Sequence, residues 1–370
     1  MQQRFYSLDV FRGATVALMI LVNNPGSWSH VFPPLSHAEW HGCTPTDLVF
    51  PFFLFAVGNA LAFTLDRYKA MSTSRFLMKV GQRALLLLLI GLFLSWSPFL
   101  KWEHNELVVK PWEQVRMLGV LQRIGITFFL GALLLYLFKP AWALAWGGFL
   151  LILYWGLCIV LGDPSDPYSA TGYFGHSIDI QLLGKNHLYK AGTIVDPEGL
   201  MSTLSAIVQV MIGYFVGDWI RQGGKNYEML SRLFFIGTLL TLTGLMWDQV
   251  FPINKKIWTS SYTIYTSGLA TLTICCLIYL LEFREAKGAW SRFFDVFGKN
   301  PLFIFVLSGF LPRALGLIRI TSGLSNDQGE PVYLSPFSWL YENIFKHWGD
   351  DLRIGSFAYA VFLLVVYWQI

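Results

Sequence analysis

An all-α bundle of about ten transmembrane helices is the architecture this sequence predicts. Three observations predict it. Of the 370 residues, 54% are hydrophobic and only 14% are charged, too little charge to cover a soluble protein of this length. The apolar residues come in blocks of about 20, the length that crosses a hydrocarbon core of about 30 Å. Fifteen Trp and sixteen Tyr suit aromatic belts at two membrane interfaces. Within lipid the backbone must satisfy its own hydrogen bonds, and no stretch alternates as a barrel strand does, so the spans are helices.

The spans fall at 7–23, 46–65, 83–99, 118–138, 141–161, 200–220, 233–251, 260–281, 300–317 and 354–370. An even number of crossings returns both termini to one side. Short loops on that side concentrate Lys and Arg (Arg4, Arg67, Lys69, Arg75, Lys79, Arg83 and others), whereas the opposite loops spread theirs more thinly. This density bias sets both termini in the cytoplasm. Loops 24–45, 162–199 and 318–353 then face outward, and their turn residues and aromatics predict a packed outer cap. The aromatic segment Pro336–Trp348 is too short and polar to cross and is expected to lie along the interface or to re-enter. No tandem repeat or separable soluble unit is visible, so residues 1–370 read as one transmembrane domain. The first span carries Asp9 and Arg12 without a small-x-small cleavage site, so it is expected to stay in the membrane. Cys158, Cys275 and Cys276 lie in apolar runs and only Cys43 in a loop, which predicts no disulfide. A net charge of +4, scattered over loops, gives no nucleic-acid footprint.

The densest titratable group lies between the first two spans: His30, His37, Glu39, His41 and Asp47 in a stretch broken by Pro and Gly. Such groups are costly to desolvate at a membrane boundary, so their clustering suggests chemistry. A neutral imidazole such as His37 can take a proton from an amine or attack an acyl group, and Asp47 can orient it. The plainer reading of the same residues is a helix start, with Thr44, Thr46 and Asp47 as caps and Pro45 in the first turn. A metal site on His37 and His41 is disfavoured, because H-A-E-W-H is not H-E-x-x-H and Pro33, Pro34 and Gly42 interrupt a continuous helix.

Ionisable groups also occur inside spans. Arg12 reads either as a phosphate contact or as a local partner of Asp9, and Arg123 as a structural pairing. Asp196-Pro197-Glu198-Gly199 precedes an apolar run, which makes Asp196 a helix cap with Pro197 in the first turn; Glu198 and His187 can then face the mouth of the bundle. Asn254, Lys255 and Lys256 sit in a short outer turn. Lys299 and Asn300 open the ninth span from the basic side, as phosphate contacts or as an interfacial anchor.

Seven elements carry a resemblance: S-L-D-V-F-R-G (7–13), V-N-N-P-G (22–26), H-A-E-W-H-G-C-T-P-T-D-L-V-F-P-F-F-L-F (37–55), G-V-L-Q-R-I (119–124), L-L-G-K-N-H-L-Y (182–189), D-P-E-G (196–199) and N-K-K-I-W-T-S-S-Y (254–262). In this order they resemble the heparan-α-glucosaminide N-acetyltransferase family. The resemblance implies transfer of acetyl from cytosolic acetyl-CoA to the amino group of a glucosamine-type sugar on the far side of the membrane. It implies that His37 is the catalytic base or acyl carrier, that Asn23 holds the thioester carbonyl or its oxyanion, and that Asp47 orients the imidazole. Donor contacts are expected from Arg12, Asn23, Arg123, Lys299 and Asn300. Sugar contacts are expected from Trp40, His187, Asp196, Glu198 and Asn254. The expected partners are acetyl-CoA, an amino-sugar acceptor and the bilayer, with a homodimer as an option and no metal. Human-type members carry a further lumenal N-terminal domain and span; without them the resemblance implies neither lysosomal location nor heparan specificity, and the expected setting is a bacterial inner membrane. The alternative from another class is an amino-sugar transporter without acyl chemistry. Ten spans suit one, but the sequence lacks the paired broken helices that mark transporter sites.

Overall fold

Every long apolar block becomes a helix in the computed structural model, which describes residues 5–325, 329 and 331–370. Arg4 and residues 326–328 and 330 lie outside the described residues. The helices are α1 (Tyr6–Asn23), α2 (Val49–Ala62), α3 (Leu65–Lys69), α4 (Thr73–Trp96), α5 (Val120–Leu137), α6 (Pro140–Leu161), α7 (Phe174–Leu183), α8 (Thr203–Gly223), α9 (Tyr227–Asp248), α10 (Ser260–Ile278), α11 (Ala289–Lys299), α12 (Pro301–Leu315), α13 (Pro336–Asn343) and α14 (Leu352–Gln369). Among the described residues, nine stretches are long and apolar enough to cross a membrane. A tenth follows if α11 and α12 count as one span bent by 80°. The chain is a multi-pass membrane protein.

The bend corrects the ninth expected span, 300–317. Pro301 cannot continue a helix, and Asn300 leaves helical geometry at φ −132°, ψ 56°, so the chain turns there. What remains, α12, has 15 residues, short of a full crossing. The fourth helix differs in the opposite direction. It begins at Thr73, capped by the Ser72 hydroxyl accepting from the Arg75 N–H, ten residues before the expected span. Lys79 and Arg83 therefore lie on a helix rather than in a loop.

The outer connections fold more than their composition suggests. Segment 162–199 contains α7, and two antiparallel hairpins cover the same end: β1 (Leu100–Glu103) with β2 (Glu106–Val109), and β3 (Ile320–Ser325) with β4 (Pro331–Leu334). The Arg319 guanidinium stacks on Trp102 of the first hairpin at 3.9 Å and on Tyr333 of the second at 4.8 Å, tying the two together. The eight-residue α13 is too short to cross, as expected, and buries Tyr341 against α1 and α14.

At the centre α2 lies against α8. Two glycines allow the approach. A Cβ at Gly58 would stand 2.0 Å from the Val210 carbonyl oxygen, and one at Gly213 would stand 2.2 Å from that of Phe55. Lipid offers no hydrophobic drive between helices, so close backbone packing of this kind carries the association. Substituting Leu at Gly58 or Gly213 is therefore expected to separate α2 from α8 and abolish a monodisperse species in detergent size-exclusion chromatography. Gly148→Ala, where a Cβ meets nothing within 4 Å, is expected to leave the elution profile and melting temperature unchanged.

Candidate active site

The loop before α2 is organised around one carboxylate. Pro45 starts a 3₁₀ turn, and Thr44 and Asp47 form a reciprocal capping box. Asp47 Oδ2 accepts from the backbone N–H groups of Ala38 and Thr44 and from the Thr44 hydroxyl, each at 3.0 Å. Oδ1 lies 2.7 Å from His37 Nδ1 and 3.4 Å from Lys255 Nζ. Asp47 is 1% exposed, whereas the His37 side chain is 46% exposed. The same side chain thus both caps the helix start and meets the His37 ring.

This geometry sets the imidazole tautomer. A carboxylate only accepts, so Nδ1 carries the proton and Nε2 keeps its lone pair. The ring opens on a cavity of about 510 Å³, also lined by Asn23, Trp40, Glu198, Lys255 and Phe53. Lys255 Nζ stands 3.0 Å from Nδ1 and 3.4 Å from Nε2. Burial lowers the Lys255 pKa, and the charges of Asp47 and Glu198 work against that fall. An imidazole, the Lys255 amino group within hydrogen-bond distance of it, and the Asn23 amide therefore face one space, a set suited to proton transfer and to hydrogen-bonding a developing oxyanion.

The other expected site residues divide. Asn23, at the exposed end of α1, His37, Trp40 and Glu198 line this cavity. Trp40 donates its indole N–H to the Tyr168 carbonyl at 2.8 Å and carries Lys256 Nζ 5.6 Å above its ring. Asn254 is fully buried. Its Oδ1 accepts from the N–H groups of Lys256 at 2.7 Å and Ile257 at 3.1 Å, and its Nδ2 meets His41 Nδ1 at 3.3 Å. Asn254 thus holds the turn that presents Lys255. His187 lies away from the cavity and donates Nδ1–H to the Val115 carbonyl at 2.7 Å. Asp196 is buried rather than capping α8, which begins at Thr203. It accepts from the N–H groups of Tyr189 at 2.8 Å and Glu198 at 3.0 Å and pairs with Arg116.

Arg123 is 1% exposed. It donates to the Gly199 carbonyl at 2.7 Å and to the Ser202 hydroxyl, and it lies 5.2 Å from the Trp258 ring. It braces the segment before α8. Arg12 donates to Asp9 at 2.8 Å and to the Gly298 carbonyl through Nε at 2.8 Å, and it lines a second, apolar groove at the other end of α2. Lys299 pairs with Asp295 at 2.9 Å, and Asn300 sits at the α11–α12 bend. Cys43 lies beside the dyad, but burial pushes its thiol up to about 12, which keeps it protonated and unreactive. Among the described residues no group of three or more His, Cys, Asp or Glu converges on a metal position.

Residues 4–101, which include α1, the dyad and α2, match a family model described as a domain of unknown function (DUF5009). Over 361 aligned positions the chain is 30% identical to heparan-alpha-glucosaminide N-acetyltransferase of Homo sapiens, covering 82% of this chain and 52% of the relative. Identity to the Mus musculus protein of the same name is 29%, covering 82% and 53%. The chain is a homologue of these acetyltransferases. It spans about half the length of the relatives it matches.

Two residues that bear on the site, Lys255 and Arg116, were missed as site members from sequence. The signal for Lys255 was its place beside Asn254 in the 254–262 element. Arg116 had no signal, because its partners lie some eighty positions away. Burial opposes the charge of Arg116, but Glu198 and Asp196 together raise its pKa. It pairs with both carboxylates and lies 4.8 Å from the Tyr189 ring. Arg116→Ala is expected to strand both carboxylates and cost about 3 kcal/mol, read as a drop in thermal midpoint in detergent; a midpoint unchanged from wild type would contradict this role.

Asp179 on α7 gives a pH-dependent counterpart. Burial pushes its carboxyl up to about 6, against the hydrogen bond from the Leu200 N–H. A folded-state pKa above the ordinary 3.8 means that the folded protein binds this proton more tightly than the unfolded chain. The associated stability is full below 3.8 and is lost as pH rises through about 6. Asp179→Asn, which mimics the protonated group, is expected to raise the melting temperature at pH 8 and to change it little at pH 4, measured by differential scanning fluorimetry.

Proposed function

We propose that this protein is a membrane acetyltransferase that moves acetyl from acetyl-CoA to the amino group of a glucosamine-type sugar. The observation that carries the reading is the His37–Asp47 dyad. It opens on one cavity at the start of α2, and that cavity shares Phe53 with the apolar groove running from the helix's other end. Homology to N-acetyltransferases supports the reaction class. The basic bias of the terminal-side loops supports donor entry from the cytoplasm and acceptor entry from the outer face.

In this reading the acceptor attacks as its neutral amine, and His37 Nε2 takes one proton from that nitrogen as it bonds to the thioester carbon, while Asp47 steadies the imidazolium. Asn23 and Lys255 offer hydrogen bonds to the oxyanion. Collapse expels the CoA thiolate, which recovers the proton from His37, giving amide and thiol. The same lone pair also permits an acetyl-imidazole carried between two half-reactions. Glu198 and Trp40 are the sugar-facing groups, with Trp40 offering a stacking face. The acceptor is an amino sugar of the cell envelope, the membrane is a bacterial inner membrane, and both termini are cytoplasmic.

His37→Ala is expected to reduce acetyl transfer to glucosamine by about 10²- to 10⁴-fold while acetyl-CoA binding is retained, assayed with radiolabelled acetyl-CoA in proteoliposomes. Asp47→Asn is expected to impair kcat more than KM, since a neutral amide also accepts Nδ1–H but stabilises the cation less. The bend between α11 and α12 favours one rival, an amino-sugar transporter, because broken helices line many transporter sites. Uptake of N-acetylglucosamine into proteoliposomes lacking acetyl-CoA, with His37→Ala transporting as wild type does, would replace the enzyme by that rival.

A further inference from the structure

At the end of α2 opposite His37 lies a hollow of about 330 Å³ that none of the site residues above occupies. Its wall carries Arg67 on α3 and Lys79, Gln82 and Arg83 on α4, with Tyr68 and Met71 between them. Positions 79, 82, 83 and 86 share one face of α4, because residues three and four apart on a helix are neighbours. Among the described residues none of the three cations pairs with a carboxylate. Asp66, the nearest acid in sequence, pairs with Arg221, and Arg83 lies over the Tyr68 ring at 5.8 Å.

The hollow is not isolated. Thr64, Arg83 and Leu86 belong both to it and to the apolar groove of about 380 Å³ that Arg12 also lines. The groove in turn reaches Phe53, which it shares with the His37 cavity. Three features therefore follow one another along α2: unpaired positive charge, an apolar channel, and a base. The 14 residues of α2 cover about 21 Å at 1.5 Å per residue, the reach of an extended phosphopantetheine arm. Interfacial cations that merely anchor a helix need neither a concave wall nor continuity with a catalytic cavity.

Resting on the acetyl-CoA reading above, we propose that Arg67, Lys79 and Arg83 form the site for the 3′-phosphorylated nucleotide end of the donor. The thioester arm then lies in the groove towards Phe53. Guanidinium and ammonium groups suit this role, since Arg grips phosphate oxygens bidentately and Lys acts as a point charge. The nucleotide thus stays at the basic end while only the uncharged arm enters the apolar interior. The same chemistry would attract the phosphate of an anionic lipid, so the test separates the two sources.

The test is isothermal titration calorimetry on the full chain in nanodiscs of zwitterionic lipid, with and without phosphatidylglycerol, using CoA and 3′-dephospho-CoA. For wild type, CoA is expected to bind about 10- to 100-fold tighter than dephospho-CoA, the worth of one or two hydrogen bonds to a charged group. Lys79→Gln with Arg83→Gln is expected to weaken CoA binding by a similar factor and to erase the preference. Arg67→Gln alone is expected to do part of this. All three side chains are exposed, and an unchanged melting temperature checks the fold. CoA binding by wild type with no 3′-phosphate preference and no effect of the substitutions overturns the site while leaving the donor reading intact. Loss of co-purifying phosphatidylglycerol in the double variant, with CoA affinity unchanged, makes the hollow a lipid site and also overturns it. Wild type that binds neither CoA nor dephospho-CoA overturns the donor reading and this site with it. The full pattern of binding without transfer to glucosamine in wild type upholds the site and removes the acceptor.

Discussion

A buried carboxylate that must find donors is the constraint on which the site depends. Asp47 is 1% exposed at the mouth of α2, where an unsatisfied charge would be far more costly than any loop rearrangement. The chain meets this demand by wrapping residues 36–47 around it, so that Ala38 and Thr44 offer backbone and hydroxyl donors and His37 offers Nδ1–H. Two further contacts come from a distant turn and helix: Lys255 approaches the carboxylate, and the Tyr262 hydroxyl donates to the Asp47 carbonyl at 2.5 Å. Satisfying one oxygen pair thus fixes the imidazole, its tautomer and the lysine beside it in a single arrangement.

Two arginines act on the other wall of the cavity. Arg116 holds Asp196 and Glu198, while Arg123 holds the Gly199 carbonyl and Ser202. These two arginines clamp the segment that enters α8, and α8 is the most buried span, at 78%. Low dielectric makes such networks rigid when they are satisfied. One wall of the cavity is thus held by the half-buried Arg116 pairs, and His37, Asn23, Trp40 and Glu198 line its interior. Rigid positioning on helix ends is what a reaction between two separately delivered molecules requires.

Apart from Arg12 and Arg83, the groove along α2 is lined mostly by apolar side chains, among them Phe53, Ala56, Val57, Ala60 and Leu61. A lining that is mostly apolar suits an uncharged arm better than an ion, which is costly to desolvate there. The close α2–α8 contact through Gly58 and Gly213 leaves the groove on the opposite side, against α4, α5 and the start of α12. Pro301 and Leu302, just past the bend at Asn300, form part of the groove wall.

The sequence by itself determined the fold class, the number of apolar blocks and the His37–Asp47 pair. Those depend on residues close in the chain: hydrophobic runs long enough to span lipid, and a capping box three residues wide. It also pointed to the acetyltransferase homology through motifs that lie in order along the chain. Tertiary structure alone decided which polar residues face the cavity. Arg123, Asp196 and Asn254 look in sequence like ligand contacts, yet each makes its observed hydrogen bonds to backbone groups or to side chains far away in the chain, and His187 donates to the Val115 carbonyl. Lys255 enters the site only because the turn before α10 folds over the loop before α2. The 80° bend, the early start of α4, α7 and the two hairpins were equally invisible to hydropathy, which measures how much apolar surface a segment carries and not where its neighbours stand. Burial and pairing are properties of the packed chain, and a side chain's role inside a membrane depends on them.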